Sequence, residues 1–196
     1  SDPLPATGGA RPGLENAAGS NILLTSGNYL RGFDIGDSAT SGSAISGGMF
    51  GTLTVTELAI SGTGRALNLN NGTLGATIDS ISSSNSTTNG VFLNSVGGTF
   101  SVTGATTVTN SSQEGIKISN VSNIGTPSLQ FGAVTIGCRT ATGILLDNVD
   151  NSGGTMSFGA VSVPNPNNAG GYGIRVQNSA ANVSVASATI SDANLV

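Results

Sequence analysis

Apolar residues recur at every second position in short runs along most of the chain. One run begins with a small residue, continues with two apolar residues that flank a variable one, and ends near an asparagine. Its copies are Ala66–Gly72, Gly90–Val96, Gly115–Val121, Gly143–Val149 and Gly173–Ser179, with a weaker copy at 32–37. Such alternation turns one set of side chains to one face of a strand. The pattern predicts short β-strands with one buried face.

A second alternating pattern follows each copy of the first. Its copies begin at Val55, Ile78, Val102, Phe131, Phe158 and Val185. Successive copies of the first pattern are 24 to 34 residues apart, and those of the second are 23 to 29 residues apart. Both patterns therefore divide the chain into six units, in which the strands persist while the loops change length.

Units of this size cannot each enclose a core, but stacked units bury a shared column and pair their backbones in parallel. We therefore expect an all-β parallel solenoid of about six coils over residues 21–196, preceded by an extended arm over residues 1–20. A left-handed hexapeptide solenoid would need a strict six-residue repeat, which is missing. A β-sandwich is the second alternative, although it would favour antiparallel hairpins.

The Gly-Ile-x-Ile-x-Asn-Val motifs, together with the segment Gly97–Gly104, resemble right-handed parallel β-helix repeat proteins. More narrowly, they resemble the solenoid stretches of large bacterial surface and adhesin-like proteins. The resemblance covers about residues 22–192. It implies an all-β, right-handed parallel β-helix (solenoid) in a secreted or cell-surface protein. It leaves the function open, because the same solenoid hosts lyases, hydrolases, tailspikes and passive stalks.

Two sets of repeated positions have expected structural roles. The apolar residue that opens each first-pattern strand should point inward and stack, as Phe33, Leu67, Val91, Ile116, Ile144 and Ile174. The residue four positions later should turn a coil corner, as Asp37, Asn71, Ser95, Asn120, Asn148 and Asn178. Asparagine tolerates the left-handed backbone of a sharp corner, and stacked amides can bond along the axis. A ligand-binding row is the alternative interpretation of these asparagines.

The composition of the chain argues against several classes of binding partner. Charged residues form only 8% of the chain, its net charge is −4, and the six basic residues are scattered in sequence. We therefore expect no nucleic-acid binding and no polybasic membrane contact. No apolar run reaches membrane-spanning length, so no membrane insertion is expected, and no signal peptide is visible. Cys138 is the only cysteine, which rules out an intrachain disulfide and leaves a corner residue or a reactive thiol.

The chain contains no histidine, which excludes histidine-based catalytic triads and histidine metal sites. Nucleotide and EF-hand motifs are also missing, so we expect no cofactor and no metal. The weak catalytic candidates are Asp147 and Asp150, because β-helix lyases and glycosidases use carboxylates. Few aromatic residues are present to hold a sugar, so a polysaccharide-binding or polysaccharide-cleaving protein is the alternative to a non-enzymatic one.

Threonine rows suggest a third function. Thr52, Thr54 and Thr56 alternate along one run, and Thr106, Thr107 and Thr109 along another. Ice-binding solenoids use such rows on every coil. Here the threonines are expected to change position from coil to coil, which favours ordinary β-propensity on an exposed face.

The ends of the predicted solenoid carry no polar cap that we recognise. Uncapped coils expose apolar columns and unpaired strand edges. We therefore expect self-association through the solenoid ends, by head-to-tail stacking into a filament, in an extracellular structural or adhesive protein. A glycan or host-surface ligand is a further expected partner.

Overall fold

The computed structural model describes residues 10–121, 128–138, 142–150, 153–164 and 171–191. Within them, fifteen strands form one sheet in which the strand pairings are parallel. The strands are β1 (Gly13–Asn16), β2 (Ile22–Leu23), β3 (Asn28–Ser38), β4 (Ser43–Thr63), β5 (Arg65–Ile78), β6 (Ser80–Ser84), β7 (Val91–Val102), β8 (Thr106–Ser111), β9 (Ile116–Ser119), β10 (Ser128–Phe131), β11 (Val134–Cys138), β12 (Ile144–Asp147), β13 (Met156–Pro164), β14 (Ile174–Gln177) and β15 (Val183–Ser191).

The strands wind into a parallel β-solenoid of about six turns, which confirms the predicted fold class and coil number. Three faces run along it. Face A contains β2, β9, β12, β14 and the first halves of β4, β5 and β7. Face B contains β10, the first parts of β3, β13 and β15, the middle of β4 and the last parts of β5 and β7. Face C contains β1, β6, β8, β11 and the last parts of β3, β4, β13 and β15.

Apolar columns fill the interior. On face A, one column contains Ile22, Ile45, Leu67, Val91, Ile116, Ile144 and Ile174 on successive rungs. The four rungs from Leu67 to Ile144 are fully buried, and Ile174 is half-buried. Burying each such side chain stabilises the fold by about 1.5–3 kcal/mol. The column is the repeated alternation of the sequence, now aligned between coils by backbone pairing.

The first weak copy of the pattern does not belong to this column. Phe33 pairs with Leu58 and Ile35 with Ile60, so residues 32–37 lie at the end of face B and on face C. The prediction that Phe33 begins the face A column is therefore wrong, because Ile22 and Ile45 occupy those rungs. Most of β3, from Asn28 to Ile35, pairs with β4, and this long ladder sets the register more strongly than a local motif.

The second pattern is also shifted at its first copy. Val55 lies beside Ala76, two residues away from the predicted partner Ile78. From Ile78 onward, however, the column continues through Val102, Phe131, Phe158 and Val185. The later copies thus share one column on face B.

Part of the segment predicted as an arm lies in the sheet. Residues 13–16 form β1, where Leu14 pairs with Ile35. The Arg11 side chain crosses the outside of the coils and forms salt bridges to Asp34 (2.9 Å) and Asp79 (2.5 Å). The solenoid therefore includes residues that the sequence analysis placed before it; residues 1–9 lie outside the described residues.

Candidate functional site

A row of left-handed residues marks the corner between faces A and B. The row consists of Met49, Asn71, Ser95, Asn120, Asn148 and Asn178, whose φ angles lie between 50° and 54°. This conformation is unfavourable for most residues by about 1–2 kcal/mol, and asparagine relieves part of that cost with a short polar side chain. Asp37, expected to begin the row, lies elsewhere, and Met49 takes its place because face A begins with different strands.

The corner asparagines bond along the solenoid axis. Asn148 Nδ2 donates to Asn120 Oδ1 (2.9 Å), and Asn120 Nδ2 donates to Asn94 Oδ1 (2.7 Å). Asn178 instead donates to Asp147 Oδ1 (3.0 Å). The acceptor for Asn148 is thus another corner residue, whereas the acceptors for Asn120 and Asn178 lie in the neighbouring column of face A.

The same corner contains a surface groove of about 600 Å³. Asn71, Asn120, Thr52 and Ser95 are among its lining residues. The groove follows the axis over several coils and presents amide and hydroxyl groups without a charged side chain.

Outward residues of face A form a row that the sequence did not predict as a site. This outer row consists of Asn68, Phe92, Lys117, Leu145 and Arg175 on successive rungs. Leu145 is only 6% exposed although its neighbours in the strand, Ile144 and Leu146, point into the core. The row therefore combines two cations with the half-buried ring of Phe92, whereas Leu145 is covered.

Aromatic rings hold the basic side chains of this face. The Arg65 guanidinium carbon lies 5.8 Å from the Phe92 ring centroid, and Lys117 Nζ lies 6.0 Å from it. The Arg175 guanidinium carbon lies 5.0 Å from the centroid of Tyr172. Cation–π attraction favours all three placements. Arg65 Nε also donates to Thr88 Oγ1 (3.0 Å), and burial lowers the pKa of Arg65.

Basic residues elsewhere in the described chain are neutralised. Arg11 forms salt bridges to two aspartates, as described above. Arg31 forms a bidentate salt bridge with Glu57, in which Nε donates to Oε2 (2.9 Å) and Nη2 donates to Oε1 (3.0 Å). These contacts raise the pKa of Arg31 and lower the pKa of Glu57. By contrast, no described carboxylate forms an ion pair with Arg65, Lys117 or Arg175. Coil stacking thus collects three cations that are distant in sequence; Arg139 lies outside the described residues.

The two catalytic candidates lie on either side of the corner. Asp147 ends β12, whereas Asp150 follows the left-handed Asn148 and the buried Val149 and is exposed. Hydrogen bonds from Asn178 and then Gln177 lower the pKa of Asp147. A glycosidase acid needs a raised pKa. Asp147 is therefore held as a carboxylate and is not arranged as a general acid.

The threonines at 106 and 107, which the sequence groups in one row, point to opposite sides of strand β8. Thr106 points inward and is fully buried, whereas Thr107 points outward. On face C an outward column contains a hydroxyl residue on six successive rungs, namely Ser61, Ser82, Thr107, Thr135, Ser162 and Thr189. Threonine itself occupies three of these six rungs and serine the other three, so the column is regular in its hydroxyl groups while the threonine positions vary from coil to coil.

Metal sites and membrane-spanning helices are absent from the described residues. Their cysteine, aspartate and glutamate side chains form no group of three or more that could hold a metal ion. In the described part of the chain, no helix is long and apolar enough to cross a membrane.

The aligned columns and the parallel ladder define the chain as a parallel β-solenoid, the architecture of β-helix repeat proteins. Comparisons with protein-family models, with curated proteins and with solved structures find no match for the chain.

Proposed function

We propose that this chain is a non-enzymatic structural segment of a secreted or cell-surface protein with an adhesive role, and that it stacks head to tail with a second copy. The supporting observation is at the last described coil. Val176 and Ile190 are each 49% exposed, whereas Leu146 and Val163, which precede them in the same columns, are fully buried. A further coil would cover this apolar surface.

The backbone at the two ends supports the same arrangement. Among the described strands, β15 pairs only with β13, and β14 pairs only with β12. At the opposite end, β1 pairs only with β3, and Leu14 is 38% exposed on the first described rung of its column. Unpaired parallel edges are templates for further strands. A head-to-tail contact between such ends is heterologous and extends into a filament.

The surface composition supports contact between copies of the chain. Charged residues are only 8% of the chain, and the outward columns of faces B and C consist mainly of serine and threonine. Such a surface carries few like charges to oppose end-to-end contact. The lowered pKa of Asp147 argues against a general acid at this position, and the chain has no histidine to serve as a catalytic base.

Sedimentation velocity over a concentration series tests the stacking, and negative-stain microscopy shows the shape of the particles. We expect the mean mass to grow with concentration and the particles to lengthen into rods. Val176→Lys places a charge on the end surface and should keep the chain monomeric. Met49→Lys is the matched control, because Met49 is 79% exposed on the side of the solenoid.

A single-copy mass at every concentration would contradict head-to-tail stacking. Cleavage of an acidic polysaccharide that disappears in Asp147→Ala would contradict the non-enzymatic role. The two parts of the proposal can therefore fail separately.

Ice binding is a second candidate, favoured by the hydroxyl column of face C. Neighbouring hydroxyls in this column are separated by one coil, about 4.8 Å. Thermal hysteresis of the purified chain tests this function. Thr107→Lys should abolish hysteresis, and Thr56→Lys on face B should preserve it; zero hysteresis in the unmodified chain removes this candidate.

A further inference from the structure

We propose that the outer row of face A, with Arg65 and Tyr172 beside it, binds an acidic polysaccharide whose chain runs along the solenoid axis. This inference does not depend on end-to-end stacking, because the row lies on the side of the coils. The distribution of charge supports this proposal. Arg11 and Arg31 are neutralised by carboxylates, whereas Arg65, Lys117 and Arg175 form no ion pair within the described residues.

The spacing of the cations fits an extended polymer with well-separated charges. Lys117 and Arg175 lie two rungs apart in one column, which corresponds to about 10 Å along the axis. Duplex DNA carries a charge about every 1.7 Å, so two cations at this distance would leave most phosphates unmatched. Uronate sugars carry one carboxylate each, and lysine and arginine bind carboxylates through charge-assisted hydrogen bonds.

Two aromatic side chains beside the cations fit sugar rings. Phe92 precedes Lys117 in the outer row and is half-buried, and Tyr172 is 49% exposed and lies against Arg175. Leu145, on the rung between Lys117 and Arg175, is buried and separates the two cations without offering a surface. The carbon-bound hydrogens of a pyranose ring can pack on the aromatic rings while its carboxylate meets the adjacent cation. An aromatic ring beside each cation thus matches the two kinds of group in a uronate polymer.

Two acidic groups belong to the same face and limit its positive charge. Asp147 lies in the column beside the outer row, and Asn178 holds its carboxylate. Glu114 Oε2 accepts a hydrogen bond from Asn89 Nδ2 at 2.7 Å. Neither carboxylate forms an ion pair with the three cations among the described residues. Removing the charge of Asp147 should therefore strengthen the binding of an acidic polymer, the opposite of the effect expected for a catalytic aspartate.

Affinity electrophoresis tests the proposal with three probes in the gel: polygalacturonate, its methyl ester, and single-stranded oligothymidylate. We expect polygalacturonate alone to retard the chain, and added salt to weaken the retardation. The double variant Lys117→Gln/Arg175→Gln should bind at least about tenfold more weakly, because each lost charge-assisted contact is worth about that factor. Arg31→Gln is the control, because it removes one positive charge from face B.

Each outcome decides the proposal. Asp147→Asn should bind polygalacturonate more tightly than the unmodified chain. No retardation by polygalacturonate, or an equal loss of binding in Arg31→Gln and the double variant, would overturn the site. Equal retardation by oligothymidylate would overturn the polysaccharide and indicate a general polyanion surface. Sedimentation of the single variant Lys117→Gln tests end-to-end stacking separately, because Lys117 lies in an inner coil, whereas Arg175 lies beside Val176 in the last described coil.

Discussion

Phe131 and Phe158 stack face to face inside the solenoid, with ring centroids 5.2 Å apart and ring planes only 10° from parallel. Phe100 lies against the other side of Phe131, at 5.3 Å and a tilt of 51°. Aromatic residues make up only 4% of the chain. Three of them are thus concentrated at one place in the core, where their rings span consecutive coils.

Replacing the central ring should destabilise the fold strongly. Phe131→Ala removes a side chain that is 3% exposed and leaves a cavity between two other rings. We expect the free energy of unfolding, from urea denaturation followed by circular dichroism, to fall by about 3–5 kcal/mol. Phe92→Ala is the control on the outer row and should cost clearly less. Equal losses would mean that the aromatic stack contributes no more than a surface ring.

Backbone conformation should dominate the role of the corner asparagines. Asn148 has a φ of 54° and donates one side-chain bond to Asn120. Both Asn148→Ala and Asn148→Gly remove that bond, but only alanine is strained by the left-handed backbone. We expect alanine to cost about 1 kcal/mol more than glycine in urea denaturation. A glycine variant as unstable as the alanine variant would show that the amide bond matters more.

A buried hydroxyl offers a stabilising substitution. Thr106 is fully buried between Ile81 and Val134, and its Oγ1 has no hydrogen-bond partner among the described residues. Thr106→Val keeps the shape and removes the unsatisfied group, so we expect stability to rise by about 1 kcal/mol. Thr107→Val, on the outer side of the same strand, should change it by less than about 0.5 kcal/mol. Destabilisation by Thr106→Val would indicate a bonded hydroxyl.

Asn178 should control the ionisation of Asp147. Its amide is the main cause of the lowered pKa of Asp147, so Asn178→Gly should raise that pKa in a carbon-13 NMR titration of the carboxyl group. Glycine keeps the left-handed backbone of this position available. Asn120→Gly, which removes a corner amide that does not contact the Asp147 carboxylate, is the control and should leave the titration unchanged.

The sign of the matching stability effect follows from linkage. A carboxylate whose pKa is lower in the folded chain stabilises the fold above its unfolded pKa, about 3.9, and this contribution is lost as the pH falls through the folded value. The stability difference between Asn178→Gly and the unmodified chain should therefore shrink in acid. A difference that stays constant with pH would assign the effect of Asn178 to the backbone.

Only part of the candidate site could be predicted from the sequence. The asparagines at 120, 148 and 178 follow a fixed interval after an apolar anchor, so their shared corner was predictable. Lys117 and Arg175 each follow the apolar residue that opens their strand, so their shared outward row was also predictable, whereas Arg65 precedes its strand anchor and was not placed beside them. They meet because loops of different lengths return the chain to the same face. Arg11 and Arg31 form ion pairs with carboxylates of other coils, and these pairs could not be predicted without the stacking of the coils.

The sequence by itself determined that the chain forms short alternating strands, repeated about six times, with Ile116, Ile144 and Ile174 at equivalent positions. This was possible because a two-residue period and a recurrent corner asparagine are local properties. Only the tertiary structure decided that Phe33 lies beside Leu58 and that Ile22 begins the described part of the face A column. Register depends on hydrogen bonds between whole strands of neighbouring coils, and a single short motif carries too little of that energy to set it.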